Sequence, residues 1–116
     1  MEMKKIQLRA PLAIAMLMCL IISSSAALLG GFSTADPKDP QVVDSAKFAV
    51  TEHNKQNHTD LVFNKVVKAE RQVVAGTNYR LGIEATDNGA AHRYIAEVYV
   101  ALNQTKFLTS FKQLGN

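Results

Sequence analysis

The chain has 116 residues, with thirteen Lys or Arg, ten Asp or Glu and a formal net charge of +3. This length supports one domain. Three of the basic residues lie in the first ten positions, and beyond Ala27 ten basic and nine acidic residues remain, a net charge of +1. The chain past Ala27 therefore lacks the strongly basic character that nucleic-acid binding requires.

The first 27 residues predict a secretory signal peptide. Basic residues precede an unbroken apolar run of eleven residues, Leu12 to Ile22, and small residues follow it. A charged start, a short apolar stretch and a small-residue cleavage site are typical of such signals, whereas a membrane anchor needs about twenty apolar residues. We expect cleavage near Ala26 or Ala27, with no membrane segment left in the mature form.

The mature domain is predicted to span residues 28–116 and to be secreted, with the vacuole as the alternative destination. The single cysteine, Cys19, would leave with the signal, so the domain must fold without a disulfide. Near its start stand two adjacent glycines, Gly30 and Gly31, which allow close approach to another backbone. The alternative is an ordinary frayed terminus. Residues 33–38 are interpreted as a polar connection.

A helix is predicted to start at Asp39 and Pro40, a favourable N-cap followed by a residue suited to the first helical position. The pattern breaks between residues 54 and 60, where the helix should end. One stripe at helical spacing is apolar and predicts packing against another layer. Its members are Val42, Ala46, Ala49, Val50 and His53.

Four further segments predict strands, from β-branched content or from apolar residues at every second position. They span residues 61–72, 77–86, 92–101 and 107–113. One early helix followed by hairpins predicts an α+β fold, with the helix packed on a four- to five-stranded antiparallel sheet. No second domain or internal repeat is visible, and we expect a monomer.

The turn between the first two long strands is unusually apolar. It reads Gln72-Val73-Val74-Ala75-Gly76, where hairpin turns normally carry Asn, Asp, Gly or Ser. One interpretation is an apolar wedge that leaves water only in a partner's cleft. The other is that the two valines simply end a buried strand.

Three separated motifs resemble those of the plant cystatins, protein inhibitors of papain-like cysteine proteases. Residues 45–54 match nine of the ten positions of their helix signature; the departure is Ser45, where the family prefers an aliphatic residue. The glycine pair lies upstream and the apolar turn downstream, in family order and spacing. The resemblance covers the mature chain and implies a cystatin-like fold, plant defence as a role, and reversible, competitive inhibition.

The resemblance also implies the residues that contact the protease. The glycine segment, the first hairpin and the second hairpin loop would plug the active-site cleft without presenting a cleavable bond. The family has a Pro-Trp pair in the second loop, but here that loop is one residue shorter and the chain has no tryptophan, which implies weaker inhibition. The implied contacts are Gly30, Gly31, Gln72, Val73, Val74, Ala75, Gly76, Leu102 and Asn103.

Other functions have less support in the residues. Three histidines without short-spaced partner ligands, and no paired carboxylates, predict neither a metal site nor an enzyme, and no cofactor is expected. His53 is instead interpreted as a packed core histidine. The main rival is a cystatin-fold binding or storage protein with little inhibitory activity. Asn57 and Asn103 each begin an N-glycosylation sequon.

Overall fold

Five strands and one helix make up the part of the chain that the computed structural model describes, residues 31–115. Every neighbouring pair of strands is antiparallel, and the strands lie in chain order. This confirms the predicted α+β class. The elements are β1 (Ser33–Ala35), α1 (Pro40–Asn57), β2 (Val62–Val74), β3 (Gly76–Asp87), β4 (Ala90–Val100) and β5 (Lys106–Gln113).

Both ends of α1 are capped by side chains or backbone geometry that the sequence encodes. The Asp39 carboxylate accepts a hydrogen bond from the backbone N–H of Gln41 at 2.8 Å, and Pro40 occupies the first helical position. The helix ends at Asn57, within the predicted range, because His58 adopts the left-handed conformation with φ 55°. The Asn54 side chain then bonds both the N–H and the carbonyl of Leu61, which fixes the connection to β2.

The core lies between α1 and the inner face of the sheet, where the helix packs against β2, β3, β4 and β5. Ala46 and Ala49 are fully buried, and their small side chains let the sheet come close. The period of two predicted for residues 77–86 is confirmed, since the apolar residues at every second position of β3 are all buried: Tyr79, Leu81, Ile83 and Ala85. Among residues 31–115, no helix is both long and apolar enough to cross a bilayer.

The first strand is not among the predicted strands. The sequence predicts a polar connection over residues 33–38, but Ser33–Ala35 form β1, paired with Ala69–Arg71 of β2. Three residues are too few to show a period of two, and only the pairing with β2 makes them a strand. β2 also departs from strict alternation, because register shifts after Phe63 and Val66 change which side chains face the helix.

Candidate functional site

The tip of the first hairpin is apolar and exposed. Val74 pairs directly with Gly76, so Ala75 alone forms the apex between β2 and β3. The side chain of Val73 is 68% exposed, Ala75 is exposed, and Val74 is half-buried. The two valines differ because adjacent residues of a strand point to opposite faces. Neither valine belongs to the buried core beneath the helix.

Gly76 cannot be replaced without disturbing this tip. Its φ of +104° is one that residues with a side chain rarely adopt. A β-carbon built there would lie 2.5 Å from the carbonyl oxygen of Val100 and 2.8 Å from the hydroxyl of Tyr99. The glycine thus brings the backbone of β3 against β4 at the base of the tip.

Two side-chain hydrogen bonds hold the tip in place. The Asn78 amide donates to the side-chain oxygen of Gln72 at 3.0 Å, which joins the two strands just below the valines. The hydroxyl of Tyr99, on β4, donates to the carbonyl of Ala75 at the apex. The tip is therefore bonded both within its own hairpin and to the neighbouring strand.

The second hairpin loop, residues 101–105, is closed by its own backbone. The N–H of Ala101 donates to the carbonyl of Thr105 and that of Gln104 to the carbonyl of Ala101, each at 2.8 Å. The Asn103 side chain accepts from the N–H of Thr105 at 3.1 Å. Leu102 projects from this loop and is 79% exposed.

The two loops lie at the same end of the sheet, because Thr77 of β3 pairs with Val100 of β4. We call this end the loop edge, residues 73–76 and 101–105. Just behind it, Lys106 forms an ion pair with Asp44 of α1 at 3.5 Å, which links the start of β5 to the helix. The loop edge itself carries no charged side chain.

An aromatic pair beside the loop edge, half-buried Tyr99 and exposed Phe107, is not predicted from the sequence. The rings of Tyr99 and Phe107 stack with their centroids 6.2 Å apart, and Phe107 is 50% exposed. Tyr99 and Phe107 are equally far from Asn103 in the sequence, so a hairpin centred on Asn103 pairs them. This equal spacing is the sequence feature from which the pair could be predicted.

The described chain begins close to the loop edge. Ser33 of β1 pairs with Arg71, two residues before Val73. Gly31 is exposed, and a β-carbon built there would meet no atom of the described chain within 4 Å, whereas Gly30 lies outside the described residues. Of the predicted contact residues, those of both hairpin loops thus lie together at one end of the sheet.

The two sequon asparagines lie in different surroundings. The side-chain amide of Asn57, at the end of α1, donates to the carbonyl of His53 at 3.0 Å. Asn103 is exposed on the loop edge, with its side-chain oxygen bonded to Thr105 as described above. A glycan on Asn103 would stand beside Leu102, whereas one on Asn57 would stand on the helix.

The histidines do not form a chemical site among residues 31–115, where no group of three or more His, Cys, Asp or Glu side chains could hold a metal ion. His53, predicted to be in the core, is half-buried and stacks on Phe111 with the ring centroids 4.0 Å apart. Partial burial lowers the pKa of His53, which favours the neutral ring. Its role is packing.

Comparison with known proteins identifies the family. The family model described as aspartic acid proteinase inhibitor matches residues 34–114. Cysteine proteinase inhibitor 5 of Arabidopsis thaliana is 40% identical over 90% of this chain and 88% of its own, and Cystatin-1 of Zea mays is 40% identical over 81% and 67%.

The solved structures agree on the fold. A salivary cystatin from the soft tick Ornithodoros moubata superimposes with a TM-score of 0.65 at 23% identity, over 74% of this chain and 98% of that one. The plant relatives are inhibitors, which confirms the prediction that this chain is not an enzyme. Similarity to plant inhibitors over most of the chain and the shared fold lead to one conclusion: the chain belongs to the cystatin family, with the plant cysteine proteinase inhibitors.

Proposed function

We propose that this chain inhibits papain-like cysteine proteases reversibly and competitively, by inserting the loop edge into the active-site cleft. The observation that carries the proposal is Val73, 68% exposed on a tip that three strands hold in place. Leu102, at 79% exposure, adds a second apolar contact on the same end of the sheet. Uncharged, apolar side chains at a fixed edge fit the apolar walls of a protein cleft.

The free energy of binding is more favourable when the loop edge is ordered before it meets the protease. Burying a valine side chain contributes roughly 1.5–3 kcal/mol before the costs of association are subtracted. Those costs include the ordering of loops, and the bonds from Tyr99 and Asn78 leave little of the tip to be ordered. The glycine segment, Gly30 and Gly31, would lie along the cleft on one side of the tip and Leu102 with Asn103 on the other.

Titration of papain tests the proposal. The protein secreted from plant cells is added in steps and residual peptidase activity is measured at several substrate concentrations. Stoichiometric inhibition that dilution reverses and that excess substrate relieves is expected. The decisive variant is Val73→Asp, because a charged carboxylate resists transfer into an apolar cleft. Its matched control is Val62→Asp, a valine 61% exposed at the far end of the same strand.

Inhibition by Val62→Asp equal to that of the unmodified protein, with Val73→Asp weakened at least tenfold, supports the proposal. Equal weakening of both variants would refute the assignment to the loop edge. Absence of inhibition at micromolar protein would instead favour the rival, a binding or storage protein of the cystatin fold.

A second candidate function follows from the matched family model, whose description names aspartic acid proteinases. The same protein should therefore be titrated against pepsin. Inhibition of papain but not pepsin supports the first proposal, and the reverse pattern supports the second. The match of the glycine and helix motifs to cysteine proteinase inhibitors favours papain.

We also propose that the chain is secreted as a monomer in plant defence, after removal of residues 1–27. Amino-terminal sequencing of the secreted protein tests the cleavage near Ala26 or Ala27, and size-exclusion chromatography tests the monomer. Mass spectrometry reports glycan occupancy at Asn57 and Asn103. Full occupancy of Asn103 with undiminished inhibition would contradict the place of that residue in the docking surface.

A further inference from the structure

Three charged side chains, those of Glu70, Arg80 and Glu97, form a row across the outer face of the sheet, the face that points away from α1. Arg80 of β3 is the register partner of both Glu70 on β2 and Glu97 on β4. Its guanidinium lies 3.4 Å from a Glu70 oxygen and 3.5 Å from a Glu97 oxygen. The two carboxylates therefore hold the guanidinium in one place above the sheet.

The ring of Phe32 covers this guanidinium. The central carbon of the Arg80 guanidinium lies 4.0 Å from the centroid of the Phe32 ring, the distance of a cation–π contact. Phe32 directly precedes β1 and directly follows Gly31. The carboxylates occupy the edge of the guanidinium and the aromatic ring lies over its face, so the contact has a defined geometry.

β1 alone is a weak anchor for the chain that precedes it. It has three residues, of which Ser33 and Thr34 are exposed, and among residues 31–115 it pairs with β2 only. The Ser33 hydroxyl adds one bond to the carbonyl of Arg71, at 3.4 Å. No atom of residues 31–115 lies within 4 Å of a β-carbon built at Gly31, and glycine restricts the backbone little. Something besides β1 is needed if Phe32 is to be held in one place.

We infer that Phe32 and Arg80 are positioning residues: their contact fixes the place of Phe32, the residue through which the chain enters the sheet after the glycine segment. The inference rests on the proposed inhibition of papain-like proteases. Its consequence is that the glycine segment contributes to protease binding only when the Phe32–Arg80 contact is intact. A merely structural contact would instead affect the whole loop edge, with or without the segment.

A thermodynamic cycle separates the two roles. Inhibition of papain by Arg80→Met and by the unmodified sequence is measured in two forms, one that contains residues 28–31 and one that lacks them and so lacks the glycine segment. The shorter form keeps the helix and all five strands, because the compact unit Phe32–Asn116 contains them. We expect inhibition of papain to weaken about fivefold with the segment present and less than twofold without it. Arg80→Lys should recover part of the loss, because an ammonium can still lie over the ring.

The matched control is Arg93→Met. It removes an exposed cation on β4 from the same outer face of the sheet. It should leave inhibition unchanged in both forms. Equal weakening by Arg80→Met in both forms, or no weakening with the segment present, would overturn the inference.

Nuclear magnetic resonance of the free protein provides a readout that does not depend on any protease. The Phe32 ring should shift the side-chain protons of Arg80 upfield, and Phe32→Leu should abolish that shift. In Arg80→Met, the backbone amide of Thr34 should become more mobile. If the unmodified protein fails to inhibit papain, the proposed function falls and these spectra still judge the contact. Arg80 side-chain protons without an upfield shift, or a Thr34 amide whose mobility does not change in Arg80→Met, would overturn the inference.

Discussion

The two hairpin loops of the loop edge are held in different ways. The first tip depends on its neighbour: Gly76 packs against the backbone of Val100, and Tyr99 bonds the carbonyl of Ala75. The loop at residues 101–105 is closed by hydrogen bonds among its own residues. The first tip therefore tolerates little change at its base, whereas the second loop can accept new side chains at its exposed positions.

The largest effect is expected from Gly76→Ala. A left-handed backbone angle costs a residue with a side chain roughly 1–2 kcal/mol, and the close approach of the Val100 carbonyl forces a further shift. We expect the inhibition constant for papain to rise about a hundredfold, which corresponds to roughly 2.7 kcal/mol. It is measured together with the thermal unfolding temperature.

Gly89→Ala is the matched control for this change. Gly89 has a φ of +85° but no atom within 4 Å of its added β-carbon, and it lies in the turn at the other end of β3. Its replacement should lower the free energy of unfolding by about 1 kcal/mol and leave inhibition unchanged. Equal loss of inhibition in both variants would mean that general destabilisation, and not the tip, is responsible.

The second loop should gain from a change that the first could not accept. Replacing Leu102-Asn103 with Pro-Trp adds an aromatic anchor at a position where Leu102 is 79% exposed. We expect papain to be inhibited about tenfold more tightly, because tryptophan buries a large area at interfaces. The bond from the Thr105 N–H to the Asn103 side chain is lost, but the two backbone bonds still close the loop. Val62→Trp, at the far end of the sheet, is the control. Unchanged affinity would show that this loop contributes little.

Tyr99→Phe removes the hydroxyl that bonds the apex of the first tip. A hydrogen bond of this kind contributes about 0.5–1.5 kcal/mol, so inhibition of papain should weaken about twofold to tenfold. The control is Tyr94→Phe, a buried tyrosine on the same strand whose hydroxyl is remote from the loops. If Tyr99→Phe inhibits as well as the unmodified protein, the tip is held without β4.

The smallest effect on inhibition is expected from Ser45→Ala, which changes only the core. Ser45 is 1% exposed, and its hydroxyl has no hydrogen-bond partner among residues 31–115. Replacement by alanine should raise the free energy of unfolding by about 1 kcal/mol, since the unpaired hydroxyl is costly and alanine favours a helix. Urea unfolding measures this gain. A changed inhibition constant would contradict the independence of core and loop edge.

Much of this molecule is encoded locally and could be predicted. The caps at Asp39 and Pro40, the stripe around Ala46 and Ala49, and the period of two in β3 depend on near neighbours in the chain. Partners distant in sequence explain the misses. β1 exists only because β2 pairs with it. Register shifts within β2 change which of its side chains face the helix, and the amino-acid composition does not predict them.

Periodicity and turn chemistry are short-range properties, so they predicted the helix, four of the five strands and the apolar composition of the first tip. Three short motifs pointed to an inhibitor family. Only the folded chain shows which of the two valines is exposed, that Tyr99 bonds the tip, and that Phe32 lies over Arg80. These contacts join residues 24 and 48 positions apart, and strand register, which brings such residues together, is a property of the folded sheet.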